Sequence, residues 1–563
     1  MTSLPPFAIF FIAAVVVPFC RGYARVAVMV LVPLFGLAAV HNLEGGTHWT
    51  LNLLGLGLAP FRVDTLSQLF GYLFNIGALI ALIFSLHIRD KVQDVVALIY
   101  AGAALGSVFA GDLLTLLVFW ETMALSSVFL IWQRKTDRAT SAGIRYLVLQ
   151  VLSGVLLFAG AGAYWHQTGS LSFGFIGTDS VAGCLIFAAF GIKCAFPLVH
   201  TWLTDAYPKA TPTGTIFLSA FTTKVAVYAL ARGFPGTEIL VYVGAIMACF
   251  PIFYAVIEND LRRVLAFSMV NQIGFMVVGV GIGTALAVNG AVAHAFNDVI
   301  FKGLLMMSMG AVLHMTGRIN GSELGGLYKS MPITATLCII GAASISAFPL
   351  FSGFVSKSMV MTAAIEEGYS IVWLALLFAS AGVFHHAGIK IPYFAFFAHD
   401  SGIRTTEPPI NMLIAMGIAA VLCVLIGCFP GILYGLLPYD TGYSPYDSTH
   451  VIAQCQILFF SALAFVWLQL KGLYPPELPS VNLDVDWLYR RPGHAIASGM
   501  QRLGASVLDA GQAMLGRTSQ LFNRAADRSY GPAGRLITTN TAESMIFATL
   551  LILLIGLLGL YFS

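Results

Sequence analysis

The sequence is poor in charged residues, and this scarcity sets its class. Of its 563 residues, only 10% are Asp, Glu, Lys or Arg, whereas 58% are apolar. Soluble globular domains carry about a quarter charged residues, so an ordinary water-soluble fold is excluded. The net charge of +3 is too small to indicate a nucleic-acid partner.

Motifs that hold cofactors are also missing. The eight cysteines lie in or beside apolar stretches, and no two of them form a CxxC pair. This pattern argues against disulfides, metal sites and haem or iron–sulfur ligation. No glycine-rich phosphate loop follows a strand pattern. We therefore expect no cofactor, no metal and no catalysis on a soluble substrate.

What the sequence does have is a series of apolar runs, most of them about 18 to 25 residues long, which is enough to cross a bilayer as a helix. Sixteen such runs predict an all-α polytopic membrane protein. They lie near residues 3–20, 25–42, 64–88, 93–110, 112–132, 140–164, 181–203, 212–232, 237–257, 261–283, 285–315, 332–365, 370–398, 409–430, 451–471 and 542–562. We expect the MTSLPPFAIFF start to belong to a retained first helix.

Lys and Arg residues alternate between loops. The odd-numbered loops hold thirteen of them, whereas the even-numbered loops hold only Arg62 and Arg232. Because short loops rich in these residues stay on the cytoplasmic side, we predict that the odd loops are inside and both termini outside. The predicted location is a bacterial cytoplasmic (inner) membrane.

The composition changes after the fifteenth span. Between Leu483 and Arg535, arginines alternate with apolar residues, and from Ala495 to Ala525 the apolar positions recur at spacings of three and four. This pattern predicts an amphipathic helix that lies laterally along a surface, although a plain cytoplasmic connector would fit as well. A final anchor helix follows.

One four-residue motif occurs twice. Ala-Phe-Pro-Leu stands at 195–198 in the seventh span and at 347–350 in the twelfth. Matching elements that are five helices apart have opposite topology, as in inverted repeats of transporters. We predict two inverted five-helix repeats, spans 4–8 and 9–13, with helices 7 and 12 broken at Pro197 and Pro349. The predicted regions are 1–92 (N-terminal helices), 93–235 and 236–400 (repeats), 401–475 (C-terminal helices), 476–540 (lateral segment) and 541–563 (anchor).

A few ionisable residues lie inside the spans, where each buried charge costs at least ~2.5 kcal/mol and usually marks an ion path. Snorkelling to the membrane interface is an equally good explanation for Lys357 and Lys390. The predicted proton pathway consists of Glu121, Lys193, Lys224, His294, Asp298, Lys302, Lys357, His385, His386 and Lys390.

Three of these residues, His294, Asp298 and Lys302, are spaced at i, i+4 and i+8 on one helical face. A base, an acid and a cation stacked in this way can pass a proton through waters. The alternative is an internal ion pair that neutralises Asp298. In both cases we expect Asp298 to pair with His294 or Lys302, because an unpaired buried carboxylate is costly.

Four longer motifs follow one another along the chain. Residues 119–127 read Phe-Trp-Glu-Thr-Met-Ala-Leu-Ser-Ser, and residues 193–203 read Lys-Cys-Ala-Phe-Pro-Leu-Val-His-Thr-Trp-Leu, running on to Ala-Thr-Pro-Thr at 210–213. Asp-Leu-Arg-Arg-Val-Leu-Ala-Phe-Ser at 260–268 precedes Gln-Ile-Gly at 272–274, and Lys302 is followed by Gly-Leu-Leu. Over about residues 60 to 430, the chain resembles the antiporter-like membrane subunits shared by respiratory complex I and Mrp-type multisubunit cation/proton antiporters.

The resemblance implies roles for the buried charges. It implies that Glu121 and Lys193 form a pair whose opening and closing gates proton movement. It also implies that Lys224 and His294 continue a central polar axis. The exit toward the other side would then be provided by one of three lysines: Lys302, Lys357 or Lys390.

The chain combines features of two branches of this family. Lys224, within Thr-Thr-Lys-Val-Ala-Val-Tyr at 222–228, suggests kinship to the Mrp D-type subunit. The amphipathic segment and sixteenth helix instead resemble the lateral arm of complex I's largest antiporter-like subunit, and D-type subunits generally end before such an arm. That complex I subunit usually has His at the position of Asp298.

The resemblance implies a proton-translocating subunit of a multisubunit Na⁺ or K⁺/proton antiporter, assembled with small hydrophobic membrane subunits. Two alternatives stay open. One is a proton-pumping membrane subunit of a complex I-like NADH:quinone oxidoreductase or membrane-bound hydrogenase. The other is a membrane subunit of a CO₂/bicarbonate accumulation complex. In each case we expect a transporter subunit without redox cofactor or catalytic residue of its own.

Overall fold

A computed structural model describes residues 4–53, 55–479, 482–530 and 542–562. These residues form two compact units, the first ending at Leu483 and the second beginning at Asp484. The helices of the first unit are α1 (Pro6–Val16), α2 (Gly22–His41), α3 (Thr65–Ser85), α4 (Lys91–Phe109), α5 (Leu113–Trp132), α6 (Asp137–Thr168), α7 (Val181–Lys193), α8 (Thr201–Ala206), α9 (Gly214–Ala220), α10 (Thr222–Gly233), α11 (Ile239–Ile257), α12 (Leu261–Ile282), α13 (Ala285–Thr316), α14 (Pro332–Ile345), α15 (Ser352–Glu366), α16 (Ser370–Val383), α17 (Lys390–Pro392), α18 (Ile410–Cys428), α19 (Gly431–Tyr434) and α20 (Ser448–Leu470). Those of the second unit are α21 (Asp486–Tyr530) and α22 (Ala542–Phe562).

Every predicted span corresponds to a helix or to a pair of helices. Within the described residues, twelve helical segments are long and apolar enough to cross a membrane. Shorter apolar helices account for the other spans. These are Pro6–Phe19, Val181–Lys193, Pro332–Ile345 and Met545–Ile555. The polytopic all-α prediction is confirmed.

A β-hairpin between α2 and α3 was not predicted. Strand β1 (Gly46–Leu53) pairs antiparallel with β2 (Leu56–Val63). The outer strand β1 is largely exposed, whereas β2 buries Leu58 and Phe61 against the helices. Searching for long apolar runs overlooks such a hairpin because its strands are short and only one of them is buried.

The first three helices of the two repeats begin at a constant offset of 148 residues. Helices α4 and α11 begin and end at positions 148 residues apart, and so do α6 and α13. Asp112 and Asp260, also 148 residues apart, each accept backbone N–H hydrogen bonds at the start of the helix between these pairs. A short side chain that accepts such bonds is the usual N-cap. The two five-helix units therefore share one local design.

The predicted breaks occur in both units. Helix α7 ends at Lys193 and α14 at Ile345, and the next helices begin only at Thr201 and Ser352. The two breaks, which contain Pro197 and Pro349, have the same backbone shape. Left-handed φ angles occur at the alanine (60° and 58°) and at the leucine (72° in both) of each motif, namely at Ala195, Ala347, Leu198 and Leu350. Non-glycine residues rarely adopt this conformation, so the repeated motif encodes a repeated interruption.

The loops divide into two faces by their contacts. Odd-numbered loops touch one another, as when Arg262 donates to the carbonyl oxygens of Ala210 and Thr211. Even-numbered loops do the same, as when Arg62 donates to the Phe173 carbonyl at 2.5 Å. The alternation of spans is therefore confirmed as geometry, and the assignment of the odd-loop face to the cytoplasm stays a prediction.

The second unit contains the predicted amphipathic segment. Helix α21 is 45 residues long, and the apolar side chains of its stripe are exposed, from Ile496 (63%) to Leu521 (63%). The terminal helix α22 is also confirmed. Residues 531–541, where the predicted segment meets the predicted anchor, lie outside the described residues. That α21 lies laterally along a membrane protein stays a prediction.

Candidate functional site

All five lysines of the predicted pathway are buried. Lys357 is 2% exposed, and the other four, Lys193, Lys224, Lys302 and Lys390, are 0% exposed. The protein therefore encloses all five side chains. Burying an ammonium group requires hydrogen bonds or a counter-ion, so the partners of each lysine define the site.

Lys193 ends α7 and reaches α5. Its Nζ donates to the Trp120 carbonyl oxygen at 2.5 Å and lies 4.4 Å from the centre of the Trp120 indole. The neighbouring Glu121 carboxylate points at α6, where a Cβ on Gly154 would lie 1.7 Å from its Oε1 atom. Lys193 thus contacts the residue beside Glu121. Among the described ion pairs of 4.0 Å or less, none joins the two side chains.

The ion-pair partner of Asp298 lies on α10, whereas we expected a partner on its own helix, α13. Its carboxylate lies 2.5 Å from Lys224 Nζ, and both side chains are 0% exposed. The prediction that His294 or Lys302 would be its partner was wrong. Spacing along one helix places residues on one face, but it does not show what the neighbouring helix offers to that face. Here α10 offers a lysine.

His294 links three helices. Its Nδ1 lies 3.0 Å from Ser356 Oγ of α15, and its Nε2 lies 3.1 Å from Gln272 Oε1 of α12. An amide oxygen can only accept, so Nε2 donates in this arrangement. The ring therefore has a fixed orientation between two polar partners, one of which, the serine hydroxyl, can either donate or accept.

Lys302 and Lys357 have neutral partners. Lys302 Nζ donates to Ser268 Oγ at 2.8 Å. Lys357 Nζ donates to the carbonyl oxygen of Ile345 at 2.8 Å and lies 5.2 Å from the centre of the Phe275 ring. Ile345 is the last residue of α14, so Lys357 occupies the break that the sequence predicts in the twelfth span.

Lys390 lies at the odd-loop face. Its Nζ donates to the carbonyl oxygens of Val256 (2.6 Å) and Glu258 (2.7 Å), at the end of α11. It also forms an ion pair of 2.8 Å with Glu477. By contrast, α15 leads from Lys357 toward Glu366, which lies close to even-loop residues such as Thr284. Of the lysines considered as an exit toward the other side, Lys390 is therefore on the wrong face.

The two histidines of the thirteenth span lie in a π-helical turn over Phe384–Ile389. His386 is 0% exposed, and His385 stacks on Tyr474, with ring centres 5.5 Å apart and planes at 10°. Tyr474 and Glu477 were not singled out from the sequence. They follow α20 in a proline-containing loop, where a carboxylate is normally solvated, so no sequence signal marked them.

Three of the five lysines share one structural setting. Lys224, Lys357 and Lys390 each donate to carbonyl oxygens in the last turn of a helix or just beyond it. The eighth span is interrupted between α9 and α10, and Lys224 donates to the Ser219 carbonyl at 3.2 Å. Carbonyls at helix C-termini lack intrahelical partners and carry the negative end of the helix dipole. Helix interruptions therefore supply carbonyl partners for Lys224 and Lys357, and the end of α11 supplies them for Lys390.

Curated relatives align with much of the chain. It is 30% identical to the A-type subunit of the Na⁺/H⁺ antiporter of Alkalihalophilus pseudofirmus over 75% of this chain and 60% of that protein. It is 28% identical to the D-type subunit from the same organism, over 69% of this chain and 83% of that protein. Hydrogenase-4 component B of Escherichia coli is 27% identical, over 65% and 62%. The chain thus spans about 60% of the length of the first relative.

Solved structures share the fold. The Mrp complex from Dietzia sp. DQ12-45-1b contains a chain that matches with a TM-score of 0.70 and 22% identity, covering 81% of this chain and 99% of that one. An archaeal membrane-bound sulfane sulfur reductase matches with a TM-score of 0.71 and 21% identity, covering 98% and 99%. Respiratory complex I from Thermus thermophilus matches with a TM-score of 0.67 and 23% identity, covering 78% and 100%.

The family model described as the transmembrane region of NADH:quinone oxidoreductase and Mrp antiporters matches residues 110–384. This range runs from the start of α5 to the π-helical turn, and it contains seven of the ten predicted pathway residues. The three outside it are His385, His386 and Lys390. Over residues 110–384, the chain matches the family of antiporter-like membrane proteins that Mrp antiporters and NADH:quinone oxidoreductase share.

Proposed function

We propose that the chain is the proton-translocating subunit of a multisubunit cation/proton antiporter, exchanging protons for Na⁺ or K⁺ across a bacterial inner membrane. Small hydrophobic membrane subunits would complete the complex. The observation that carries the proposal is the fully buried Lys224–Asp298 pair of the first unit. Hydrophobic replacements are often more stable than such a pair, which favours a functional reason for keeping it.

The proposed path follows the buried partners. A proton enters near Glu121 and Lys193, whose separated side chains correspond to an open gate. Moving the proton to Lys193 changes the charge near Lys224, and the Lys224–Asp298 pair opens or closes in response. His294 and Lys302 continue the path along α13. Lys357 is the proposed outlet, because α15 leads from it toward the even-loop face.

A second candidate is a proton-pumping subunit of a respiratory or hydrogenase-like membrane complex. The fold match to the archaeal sulfane sulfur reductase covers 98% of this chain and therefore extends into the second unit. The match to the Mrp chain covers 81%. The second unit thus supports the redox-linked candidate, whereas the sequence relatives among A-type and D-type antiporter subunits support the antiporter.

One flux measurement distinguishes the two candidates. Everted membrane vesicles would be prepared from an antiporter-deficient host that expresses the chain with its neighbouring genes. A pH-sensitive dye reports proton movement after Na⁺ or K⁺ is added to a respiring, acidified vesicle. Cation-dependent proton release supports the antiporter, and donor-driven proton uptake above that of vesicles from the host without these genes supports the redox-linked pump.

The central pair is tested in the same vesicles. Asp298→Asn keeps the side-chain size but removes the carboxylate opposite Lys224, so we expect flux to fall by at least about tenfold. The amount of assembled complex should fall less. Unchanged flux in Asp298→Asn would show that the pair has only a structural role.

A further inference from the structure

The segment that follows α20 buries two polar side chains within the first unit. It turns at Gly472, whose φ of +65° suits glycine, and then runs through two prolines. Tyr474 is 7% exposed, and the side chain of Glu477 is 5% exposed. Residues 471–479, here called the port segment, therefore bury a phenol and a carboxylate, although they lie in a connecting loop.

Glu477 belongs to a layer of charges at the odd-loop face. Its Oε1 lies 2.8 Å from Lys390 Nζ, whose backbone partners include the Glu258 carbonyl. The Glu258 carboxylate forms an ion pair of 3.2 Å with Arg263, and it accepts from Asn482 Nδ2 at 3.2 Å. The Arg263 side chain is 24% exposed. Glu477, Glu258 and the partly exposed Arg263 thus form a charged layer between solvent at this face and the buried Lys390.

His386 lies inward of this layer. Its ring is fully buried, and among the described residues no hydrogen bond of 3.5 Å or less reaches either nitrogen, although the Gly382 backbone lies close to the ring. Buried polar atoms of this kind are normally satisfied by water. His386 lies four residues before Lys390, and both Lys302 and Lys390 are close enough to influence the ring electrostatically. The π-helical turn that holds it is a rare element that often occurs at functional sites.

We propose that Glu477 is a further proton-carrying residue, the outermost carboxylate of a port that leads from the odd-loop face through Lys390 and His386 to Lys302. The inference rests on the proposed function and adds an entry to it. Glu477, Lys390 and His386 lie outside the residues that the family model matches, and the Glu477 carboxylate is not among the ten predicted residues.

The transfer balances in three steps. A solvent proton bonds to the Glu477 carboxylate, which becomes neutral and no longer compensates Lys390. The Lys390 ammonium then gives one N–H proton through water to the His386 imidazole and becomes a neutral amine. The amine takes the proton from Glu477, which restores the ion pair. The net result is one proton moved from solvent to His386.

The surroundings of Glu477 suit this cycle. Burial, the largest effect, raises the pKa of the Glu477 carboxyl, and the neighbouring Glu258 raises it further, whereas Lys390 lowers it. A carboxyl under opposing influences changes protonation when its ion pair opens or closes. His385 stacks on Tyr474, and the Glu477 charge acts on the Tyr474 phenol.

The competing explanation is that the ion pair merely fastens the port segment. Glu477→Gln and a matched control, Glu323→Gln, separate the two in the vesicle assay. Glu323 is an exposed carboxylate of the same face, in the loop before α14. We expect Glu477→Gln to lower flux by at least about tenfold and Glu323→Gln to leave it unchanged. Unchanged flux in Glu477→Gln would overturn the port.

Chemical rescue distinguishes proton transfer from fastening. Glu477→Cys would be treated with iodoacetate, which installs a titratable carboxylate, or with a methanethiosulfonate that installs a permanently charged sulfonate. Untreated and treated wild type control for the native cysteines. We expect the carboxylate to restore flux and the sulfonate to fail. Equal rescue by both, or a thiol that neither reagent reaches, would overturn the port. Absence of cation- or donor-driven flux in wild type would instead contradict the proposed function.

Discussion

At the scale of single residues, the buried lysines matter because each can hold or release a proton. Lys193 is the first test. Arginine would keep the positive charge near Trp120 and Glu121 but does not release its proton in proteins, and alanine would remove both charge and contact. We expect both Lys193 variants to lose at least about a hundredfold of the proton flux, with Arg the better assembled.

The measurement for Lys193 is dye-reported flux in everted vesicles, normalised to the amount of assembled protein. Glu121→Gln is measured beside the two lysine variants, because it removes the other half of the proposed gate. Near-normal flux in Lys193→Arg would mean that the residue supplies only a fixed positive charge.

Gly154 provides a test that changes no charge. A Cβ at this position would lie 1.7 Å from Glu121 Oε1, so Gly154→Ala must displace the carboxylate. Small displacements of a reacting group cost large factors in rate, so we expect flux to fall by about tenfold or more. Gly162→Ala, in the same helix with no atom within 4 Å of the new Cβ, is the matched control and should retain flux. Equal flux in both variants would show that the Glu121 position is not critical.

The second repeat has a different residue at the position equivalent to Gly154. With the offset of 148 residues, Gly154 corresponds to Lys302. Trp120 corresponds to Ser268, which is the hydrogen-bond partner of Lys302. In the first unit, the acid of α5 fills the space beside this glycine. In the second unit, a lysine from α13 reaches across instead. One local design therefore holds a carboxylate in one half and an ammonium group in the other.

At the scale of elements, the two Ala-Phe-Pro-Leu breaks carry backbone strain. A left-handed alanine costs roughly 1–2 kcal/mol relative to its ordinary conformation, and glycine avoids most of this cost. We expect Ala347→Gly to raise the free energy of unfolding by about 1 kcal/mol. Ala343→Gly, within regular α14, should lower it by about 1 kcal/mol.

Thermal midpoints of the purified variants in one detergent provide the comparison for the two alanines. The expected order is Ala347→Gly above wild type and Ala343→Gly below it. If both substitutions lower the midpoint equally, the left-handed conformation at Ala347 is not a source of strain in the folded protein.

Elements that are determined by residues close together in the sequence could be predicted from it. Long apolar runs and the prolines at 197 and 349 suffice for the spans and for two of the breaks. The interruption before Lys224 and the π-helical turn around His386 were not predicted, because no proline marks them. Similarly, charges in apolar runs identify Lys193 or Lys302 from the sequence, whereas the partners of Asp298 and Lys390 depend on how distant segments meet.

At the scale of the whole molecule, the loop contacts define an odd-loop face and an even-loop face. A measurement must decide which of the two faces is cytoplasmic. We expect a reporter fused after Ser563 to be extracytoplasmic and one inserted near Arg502 to be cytoplasmic, because the arginine-rich segment follows the odd-loop rule. Paired phosphatase and fluorescent-protein fusions give opposite signals at the two positions. The same side for both would remove the sixteenth span and the lateral-arm prediction.

The contacts of the buried lysines have a consequence for ion selectivity. Four of the five ammonium groups donate to backbone carbonyl oxygens, those of Trp120, Ser219, Ile345, Val256 and Glu258. Such oxygens are the ligands that a dehydrated alkali cation requires inside a membrane protein. Here covalently tethered cations already occupy them. A permeant Na⁺ or K⁺ would have to compete with a lysine at each position. We therefore expect the axis to favour protons and an exchanged metal cation to use a separate route.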